Sequence, residues 1–291
     1  MPTDAEFYID ISFKLTFLNY NLNRLLLIIF FEKVLNMNTE ILTIPCLQDN
    51  YAFIIHNHKL NETFLIDAPE AYPIIDILEK KNWGLEKIVL THHHSDHVMG
   101  VSDLVKKYDP LIIGADADKH RLPILGEMIN ANTILTLGDL KFKIIDVPGH
   151  TIGHLAFYCE EISALFSGDS LMAFGCGRLF EGTPAMMWNS LNKLKKLPLD
   201  TKVYSGHEYA IKNLEFALSI DKDNEVLQNK YISVKNLVGK SLPSVPSTIK
   251  DELEINPFLR ANNFELKKIM NMENESDENV FAELRKKRDI F

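Results

Sequence analysis

The sequence is poor in cysteine, and its three cysteines suggest no covalent or metal-bound framework. Cys46, Cys159 and Cys176 are far apart and odd in number. A disulfide network and a cysteine-based zinc site are therefore excluded, and the chain fits a reducing compartment. With 46% hydrophobic residues in 291, the chain should instead be held together by an ordinary hydrophobic core.

Basic residues are also in deficit. Lys and Arg number 31 against 40 Asp and Glu, which gives a formal net charge of -9. Such a charge disfavours attraction to nucleic acid or to anionic lipid as the main mode of action. We therefore expect neither nucleic acid nor a membrane as a partner.

Long hydrophobic runs are missing as well. The apolar stretch Leu25–Phe31 is far shorter than the roughly 20 residues that a membrane-spanning helix needs. Acidic residues precede it where a signal peptide would carry positive charge. We interpret residues 1–36 as an extension outside the mature protein, with Met37 as the working start and a cytoplasmic location. The alternative is a targeting segment that directs the protein to an organelle.

Two regions with different hydrophobic patterns follow this extension. Up to His207, short β-type runs end at turn or polar residues and alternate with amphipathic helical stretches. The runs are 64–66, 88–90, 144–147, 155–158, 164–166 and 203–204, and the helical stretches are 72–80, 98–107 and 184–196. Later helices are predicted at 210–218, 224–238, 247–253, 264–272 and 280–287. The pattern indicates the α+β class, with one domain at 37–207 and a helical domain at 208–291.

The densest chemical signal is a Thr-His-His-His-Ser-Asp-His segment between an apolar strand and a helix. Side chains two apart in an extended segment point the same way, so His92 and His94 can bind one metal ion. Asp96 and His97, where the chain turns into the helix, are directed at a second ion. His93 should point away from both.

Further candidate ligands stand at other strand ends, each directly after a glycine. The predicted sites are His92, His94 and His150 for one ion, Asp96, His97 and His207 for the other, and Asp169 as the bridge. Nitrogen and oxygen ligands without thiolate suit Zn, Fe or Mn, so we expect two divalent ions, with zinc foremost. Two such ions lower the pKa of a shared water and polarise the group it attacks, which makes hydrolysis the natural reaction.

The remaining histidines and Cys176 carry weaker signals. His154 is expected to support the structure or a neighbouring ligand, and ordinary packed or surface roles are expected for His56, His58 and His120. Cys176 is expected to be a small packed residue and not a nucleophile. The basic segment 284–291 is either a solvated helix end, where cations are favourable, or a clamp for an anionic ligand.

The histidine motif and its downstream partners resemble the metallo-β-lactamase superfamily. Three further segments are similar to glyoxalase II, the hydroxyacylglutathione hydrolase family: 175–183, 206–209 together with Asn213, and 256–260. The similarity extends from about Met37 to the C-terminus. It implies an αββα sandwich that carries the metal site, followed by a smaller all-helical domain that supplies much of a glutathione pocket.

The resemblance also implies a reaction and a set of substrate contacts. The expected activity is hydrolysis of S-D-lactoylglutathione to D-lactate and glutathione, by a hydroxide that two metal ions bind and Asp96 helps to hold. The implied substrate contacts are Arg178, Phe180, His207, Tyr209, Asn213, Arg285 and Arg288. Phe180 departs from the Tyr of some family members, which removes one hydroxyl contact to glutathione. A monomer is expected.

Alternative interpretations come from three classes. A persulfide dioxygenase or a general thioesterase would share the histidine motif, but the helical tail disfavours both. A metal-binding regulatory protein without turnover would keep the ligands, and a nucleic-acid hydrolase would be expected to carry a larger basic surface.

Overall fold

The computed structural model describes residues 38–291, and the expectations about residues 1–36 lie outside that range. Its centre is formed by two six-stranded sheets. In the first sheet, β1 Thr39–Cys46, β2 Asn50–Asn57 and β3 Glu62–Ile66 pair antiparallel, and β4 Lys87–Val89, β5 Leu111–Ala115 and β6 Glu127–Ile129 continue from β3 in parallel pairing. The parallel part needs crossover connections, which helices supply. They are α1 Ala71–Lys81, α2 Ser95–Val98 and α3 Val101–Tyr108.

The second sheet has the spatial order β14-β13-β10-β9-β8-β7. Its members are β7 Ile134–Leu137, β8 Leu140–Asp146, β9 Leu155–Cys159, β10 Ala164–Gly168, β13 Lys202–Ser205 and β14 Ser247–Thr248. Between β10 and β13 the chain forms the hairpin of β11 Leu171–Met172 and β12 Gly175–Cys176, and then helix α4 Pro184–Leu194. Thr183 begins α4, because its side chain accepts a hydrogen bond from the Met186 amide.

Three buried clusters account for the layers. Phenylalanines of both sheets, among them Phe53 and Phe166, fill the space between the sheets. The outer face of the first sheet is covered by helix residues such as Leu78 and Leu104. On the outer face of the second sheet, Trp188 of α4 packs with residues of the last helix. This arrangement confirms the αββα sandwich.

Helices dominate the chain after residue 207. They are α5 Ala210–Ile220, α6 Glu225–Val238, α7 Ile249–Ile255, α8 Phe264–Ile269 and α9 Asp277–Ile290. The helix predicted to begin at Ser247 begins at Ile249, because Thr248 caps it and the two preceding residues pair with β13. A strand from this region therefore extends the second sheet, and the domain division at residue 208 stays a prediction. Across residues 38–291, no helix has the length and apolar content required to cross a bilayer.

Candidate active site

Seven side chains predicted as metal ligands meet where strands of both sheets end. His92, His94, Asp96 and His97 follow β4, Asp169 directly follows β10, and His150 and His207 lie in loops after β8 and β13. The cluster contains three overlapping groups, and within each group the donor atoms lie within 4.8 Å of one another. The groups are His92, His94 and His150; His92, His97 and Asp169; and Asp96, His97 and His207. The fold thus brings together residues that are more than 100 positions apart in the chain.

Ring nitrogens in this cluster face one another at short distances. His94 Nδ1 lies 3.1 Å from His92 Nε2 and 2.9 Å from His150 Nε2. On the other side, His97 Nε2 lies 3.4 Å from His207 Nε2. The seven residues therefore form two adjacent groups of inward-facing donor atoms.

Asp169 lies between the two groups. Its Oδ2 is 3.4 Å from His150 Nε2 and 3.1 Å from His207 Nε2, and its Oδ1 is 3.3 Å from His97 Nε2. The bridging role of Asp169 stays a prediction, and this is the position that it requires. Asp96 Oδ2 lies 3.5 Å from His207 Nε2 and accepts a hydrogen bond from Asn50 Nδ2 at 3.0 Å.

The outward nitrogen of four rings is held by an oxygen acceptor. The pairs are His92 Nδ1 with Thr91 Oγ1 at 3.0 Å, His97 Nδ1 with Asp67 Oδ2 at 2.8 Å, His150 Nδ1 with the Arg178 carbonyl at 2.8 Å, and His207 Nδ1 with Asp49 Oδ1 at 3.0 Å. An acceptor at Nδ1 fixes the proton there and leaves the Nε2 lone pair directed inward. This is the tautomer that binds a metal ion.

The charge balance of the cluster fits bound cations. Burial, with neighbouring imidazoles, lowers the pKa of His92 well below its ordinary value and that of His94 to about 4, so both rings are neutral. Against burial, which would raise it, His207 and His97 hold the pKa of Asp169 well below the usual range. Against burial, which would lower them, Asp169 raises the pKa of His97 well above its ordinary value and that of His207 to about 9, so a metal ion bound at Nε2 of these rings displaces a proton. Converging lone pairs repel unless a cation lies between them. The buried Asp169 Oδ1 makes no hydrogen bond within residues 38–291, as expected of a metal-ligating oxygen.

Two histidines predicted to lie outside the ligand set are not members of the three donor groups among residues 38–291. His93 points away from the cluster, with Nδ1 3.2 Å from Asp118 and Nε2 3.5 Å from Glu181. His154 stacks on His92 at a centroid distance of 4.7 Å, and its Nε2 accepts a hydrogen bond from the Asp169 amide at 3.0 Å. It therefore supports the backbone of a predicted ligand.

Sequence reasoning did not identify Asp49, Asn50 and Asp67 as supporting residues. Asp67 had a recognisable signal, because it directly follows a strand, as the predicted ligand Asp169 does. The other two lie in the turn and strand start after β1 and offered no such pattern.

A cavity of about 550 Å³ opens beside the cluster. All the predicted substrate contacts line it, together with His94, Asp96, His150, Asp169, Asp289 and Phe291. The cavity wall thus combines residues from both regions of the chain, with Arg178 on the sandwich side and Arg285 and Arg288 on α9.

The three cavity arginines differ in availability. Arg285 is 6% exposed, donates to the Cys176 carbonyl at 2.8 Å and pairs with Asp289 at 2.9 Å. Arg288 Nη2 donates to Asn213 Oδ1 at 3.2 Å. The Arg178 side chain is 56% exposed, with its Nε 3.4 Å from Asp289. Arg178 and Arg288 are therefore the cations more free to meet a ligand.

Aromatic residues complete the cavity. Tyr209 stacks on His207 at a centroid distance of 4.7 Å, and burial with nearby carboxylates raises its pKa to about 12. The phenol is therefore a hydrogen-bond donor at neutral pH. Phe180 is exposed and lies edge-on to His94 and His150, at 5.4 and 5.3 Å. Cys176 is buried, and burial raises its pKa, as expected for a packed thiol.

Comparison with known proteins decides the family. Residues 47–207 match the family model for the metallo-β-lactamase superfamily, and residues 208–291 match that for the hydroxyacylglutathione hydrolase C-terminus. A hydroxyacylglutathione hydrolase of Roseobacter denitrificans is 46% identical over 255 residues, which are 88% of this chain and 100% of that protein. The chain belongs to the hydroxyacylglutathione hydrolase family. A further member, from Ruegeria pomeroyi, is 47% identical over the same shares of both chains.

Solved structures support the family's fold. The BLEG-1 B3 metallo-β-lactamase has a TM-score of 0.60 at 22% identity and covers 76% of this chain and 99% of its own. ETHE1 from Myxococcus xanthus has a TM-score of 0.59 at 19% identity, and the match covers 85% of this chain and 89% of ETHE1. TTHA1623, solved in a di-iron-bound form, has a TM-score of 0.50 at 27% identity, and the match covers 58% of this chain and 91% of TTHA1623.

Proposed function

We propose that this chain hydrolyses S-D-lactoylglutathione to D-lactate and glutathione. The observation that carries the proposal is one cavity that joins the histidine and aspartate cluster to Arg178 and Arg288. Glutathione bears two carboxylates, and guanidinium groups bind carboxylates through charge-assisted hydrogen bonds. The names of the relatives agree with this substrate class.

Two divalent metal ions are the proposed cofactors, with zinc foremost. One would be held by His92, His94 and His150, the other by Asp96, His97 and His207, with Asp169 between them. When bound, such ions polarise a carbonyl and make a coordinated water a nucleophile at neutral pH. Support comes from the all-nitrogen and oxygen donor set, the orphaned Asp169 oxygen and the di-iron form of TTHA1623.

The chain's own residues bind and orient the reactants. Arg178 and Arg288 would hold the glutathione carboxylates, and the Tyr209 hydroxyl can donate to a peptide carbonyl. Such remote contacts position the thioester beside the cluster. The Asp96 carboxylate, oriented by Asn50, can accept a hydrogen bond from the attacking water. Water adds to the acyl carbon, the carbon–sulfur bond breaks, and the thiol leaves with a proton.

The proposal also covers the domain roles, the oligomeric state and the location. Residues 37–207 would form the catalytic domain and 208–291 the glutathione-binding domain, since the cavity draws Arg285 and Arg288 from the latter. We propose a monomer. A cytoplasmic location is supported by Cys46, Cys159 and Cys176, which are free and buried.

The test compares S-D-lactoylglutathione with S-lactoyl-2-mercaptoethanol, a lactoyl thioester without glutathione. We expect kcat/KM to favour the glutathione thioester strongly, and an Arg178→Ala, Arg288→Ala double variant to lose that preference mainly through KM. Arg285 is left intact, because its removal would strip the Cys176 carbonyl of its donor. Lys287→Ala, an exposed change on the same helix, is the control. Equal use of both thioesters by the wild type would refute the assignment.

A further inference from the structure

The hairpin β11–β12 is bound by the helical region at four consecutive residues. Each of these residues has one backbone group that is hydrogen-bonded to a side chain from beyond residue 207: the Ala173 carbonyl to Asn213 at 3.0 Å, the Phe174 amide to Glu252 at 3.0 Å, the Gly175 carbonyl to Asn256 at 2.9 Å, and the Cys176 carbonyl to Arg285 at 2.8 Å. A two-residue strand pair has few hydrogen bonds of its own. Its conformation is therefore set from outside.

Glu252 and Asn256, one helical turn apart on and just after α7, are central to this set. Glu252 is fully buried, and its carboxyl group accepts from the Phe174 amide, from Ser247 Oγ at 2.6 Å and from Asn256 Nδ2 at 2.8 Å. Among the described residues no cation pairs with it. A carboxyl group buried without a cation is costly, and its contacts point to a positioning role for the hairpin.

The hairpin also contains a strained residue. Phe174 has a φ of +63°, in the left-handed region that residues with a Cβ rarely adopt. Its amide is the group that Glu252 binds. The hydrogen bond that Glu252 accepts from this amide, with the bonds at the neighbouring residues, therefore holds a backbone conformation that the hairpin would not favour by itself.

From the last residue of the hairpin onward, the chain forms part of the wall of the substrate cavity. Cys176, Gly177 and Arg178 all line it. The downstream end is anchored independently, because Gly177 packs so tightly that a Cβ would overlap the Asp169 carbonyl oxygen, and the Arg178 carbonyl accepts from His150. A substitution at Glu252 should thus shift the cavity wall at Cys176 without changing the position of His150.

We propose that Glu252 and Asn256 are positioning residues that fix the hairpin and, through it, the cavity wall that binds the glutathione part of the substrate. The inference rests on the proposed function. Helix α7 does not line the cavity. The inference is that α7 nevertheless sets the affinity for the glutathione part of the substrate and leaves the thioester chemistry unchanged.

The test uses Glu252→Ala, Glu252→Gln and the control Glu254→Ala, an exposed residue of the same helix. We expect Glu252→Ala to raise KM for S-D-lactoylglutathione about tenfold and to weaken glutathione binding in calorimetry by a similar factor, as for loss of a buried acceptor. Its kinetics with S-lactoyl-2-mercaptoethanol should match the wild type. Glu252→Gln, whose carbonyl can still accept from Phe174, should recover most of the affinity.

If Glu252→Ala does not fold, Asn256→Ala carries the same expectation, because it removes the donor to Gly175. The inference is overturned if KM and glutathione affinity stay within about twofold of the control. It is also overturned if activity toward both thioesters falls in equal proportion, which would show a general structural role. A wild type without preference for the glutathione thioester would instead refute the proposed function.

Discussion

Replacing Asp67 with Asn would preserve the shape of the side chain but alter how His97 is held. Asp67 is buried at the end of β3, and its Oδ2 accepts hydrogen bonds from His97 Nδ1 and Thr91 Oγ1, both at 2.8 Å. Its Oδ1 accepts from the Thr91 amide at 2.8 Å. An Asn can keep this last bond, but its amide nitrogen then faces the other two donors.

The expected magnitude follows from these contacts. A hydrogen bond to a charged acceptor contributes about 1.5–3 kcal/mol. To accept from the Asn amide, His97 must move its proton from Nδ1 to Nε2, the atom 3.3 Å from Asp169 Oδ1 that faces the proposed metal. Replacing the residue that hydrogen-bonds to a metal-binding histidine lowers metal affinity about 10- to 100-fold, or about 1.4–2.7 kcal/mol.

The assay is competition for zinc against a chromophoric chelator. We expect one of two ions to bind at least about tenfold more weakly in Asp67→Asn, while the other retains its affinity. Asp76→Asn, on the exposed face of α1, is the control. Unchanged affinity for both ions would show that Asp67 does not set the proton position on His97. It would also refute the inference that acceptors at Nδ1 direct the Nε2 lone pairs toward the metal ions.

Three further predictions concern pH, metal and substrate. Burial raises the pKa of Glu252 to about 7 from 4.5. The contribution of Glu252 to the free energy of unfolding is therefore complete below about pH 4.5 and is lost as the pH rises through 7, a decrease of about 3 kcal/mol. Urea titrations should show this decrease in the wild type and not in Glu252→Gln. Chelation should lower the midpoint of thermal unfolding and added zinc should restore it, since ligands that bind the folded state stabilise it; an unchanged midpoint would contradict the metal site. Phe180→Tyr should lower KM for S-D-lactoylglutathione roughly three- to tenfold through one added hydrogen bond, and an unchanged KM would show that the hydroxyl finds no partner.

Local patterns were sufficient to select residues whose donor atoms lie close together, because each predicted ligand stands beside a strand end that its own neighbours reveal. His150 and Asp169 each follow a glycine after an apolar run, and both joined the cluster. The helices after His207 were predicted for the same reason, since their apolar spacing is local. The helix predicted from Ser247 began later because pairing with β13 outweighed the helical pattern.

Apart from Asp67, which directly follows β3, the supporting residues could not be predicted in this way. Asp49 lies 158 positions from His207, and Glu252 lies 78 from Phe174. Neither carboxylate has a neighbour in sequence that reveals its partner. Long-range contacts of this kind depend on how two sheets and the later helices pack, which periodicity does not encode.

The sequence by itself determined the class of the fold, the nitrogen and oxygen donors available to a metal and the presence of a basic C-terminal segment, because these follow from residue type and short-range spacing. Only the tertiary structure decided which ring nitrogens face inward and which cavity arginines are free. Arg285 donates to the Cys176 carbonyl because β12 and α9 pack together. The physical reason is that hydrogen-bond partners are assigned by packing between distant segments.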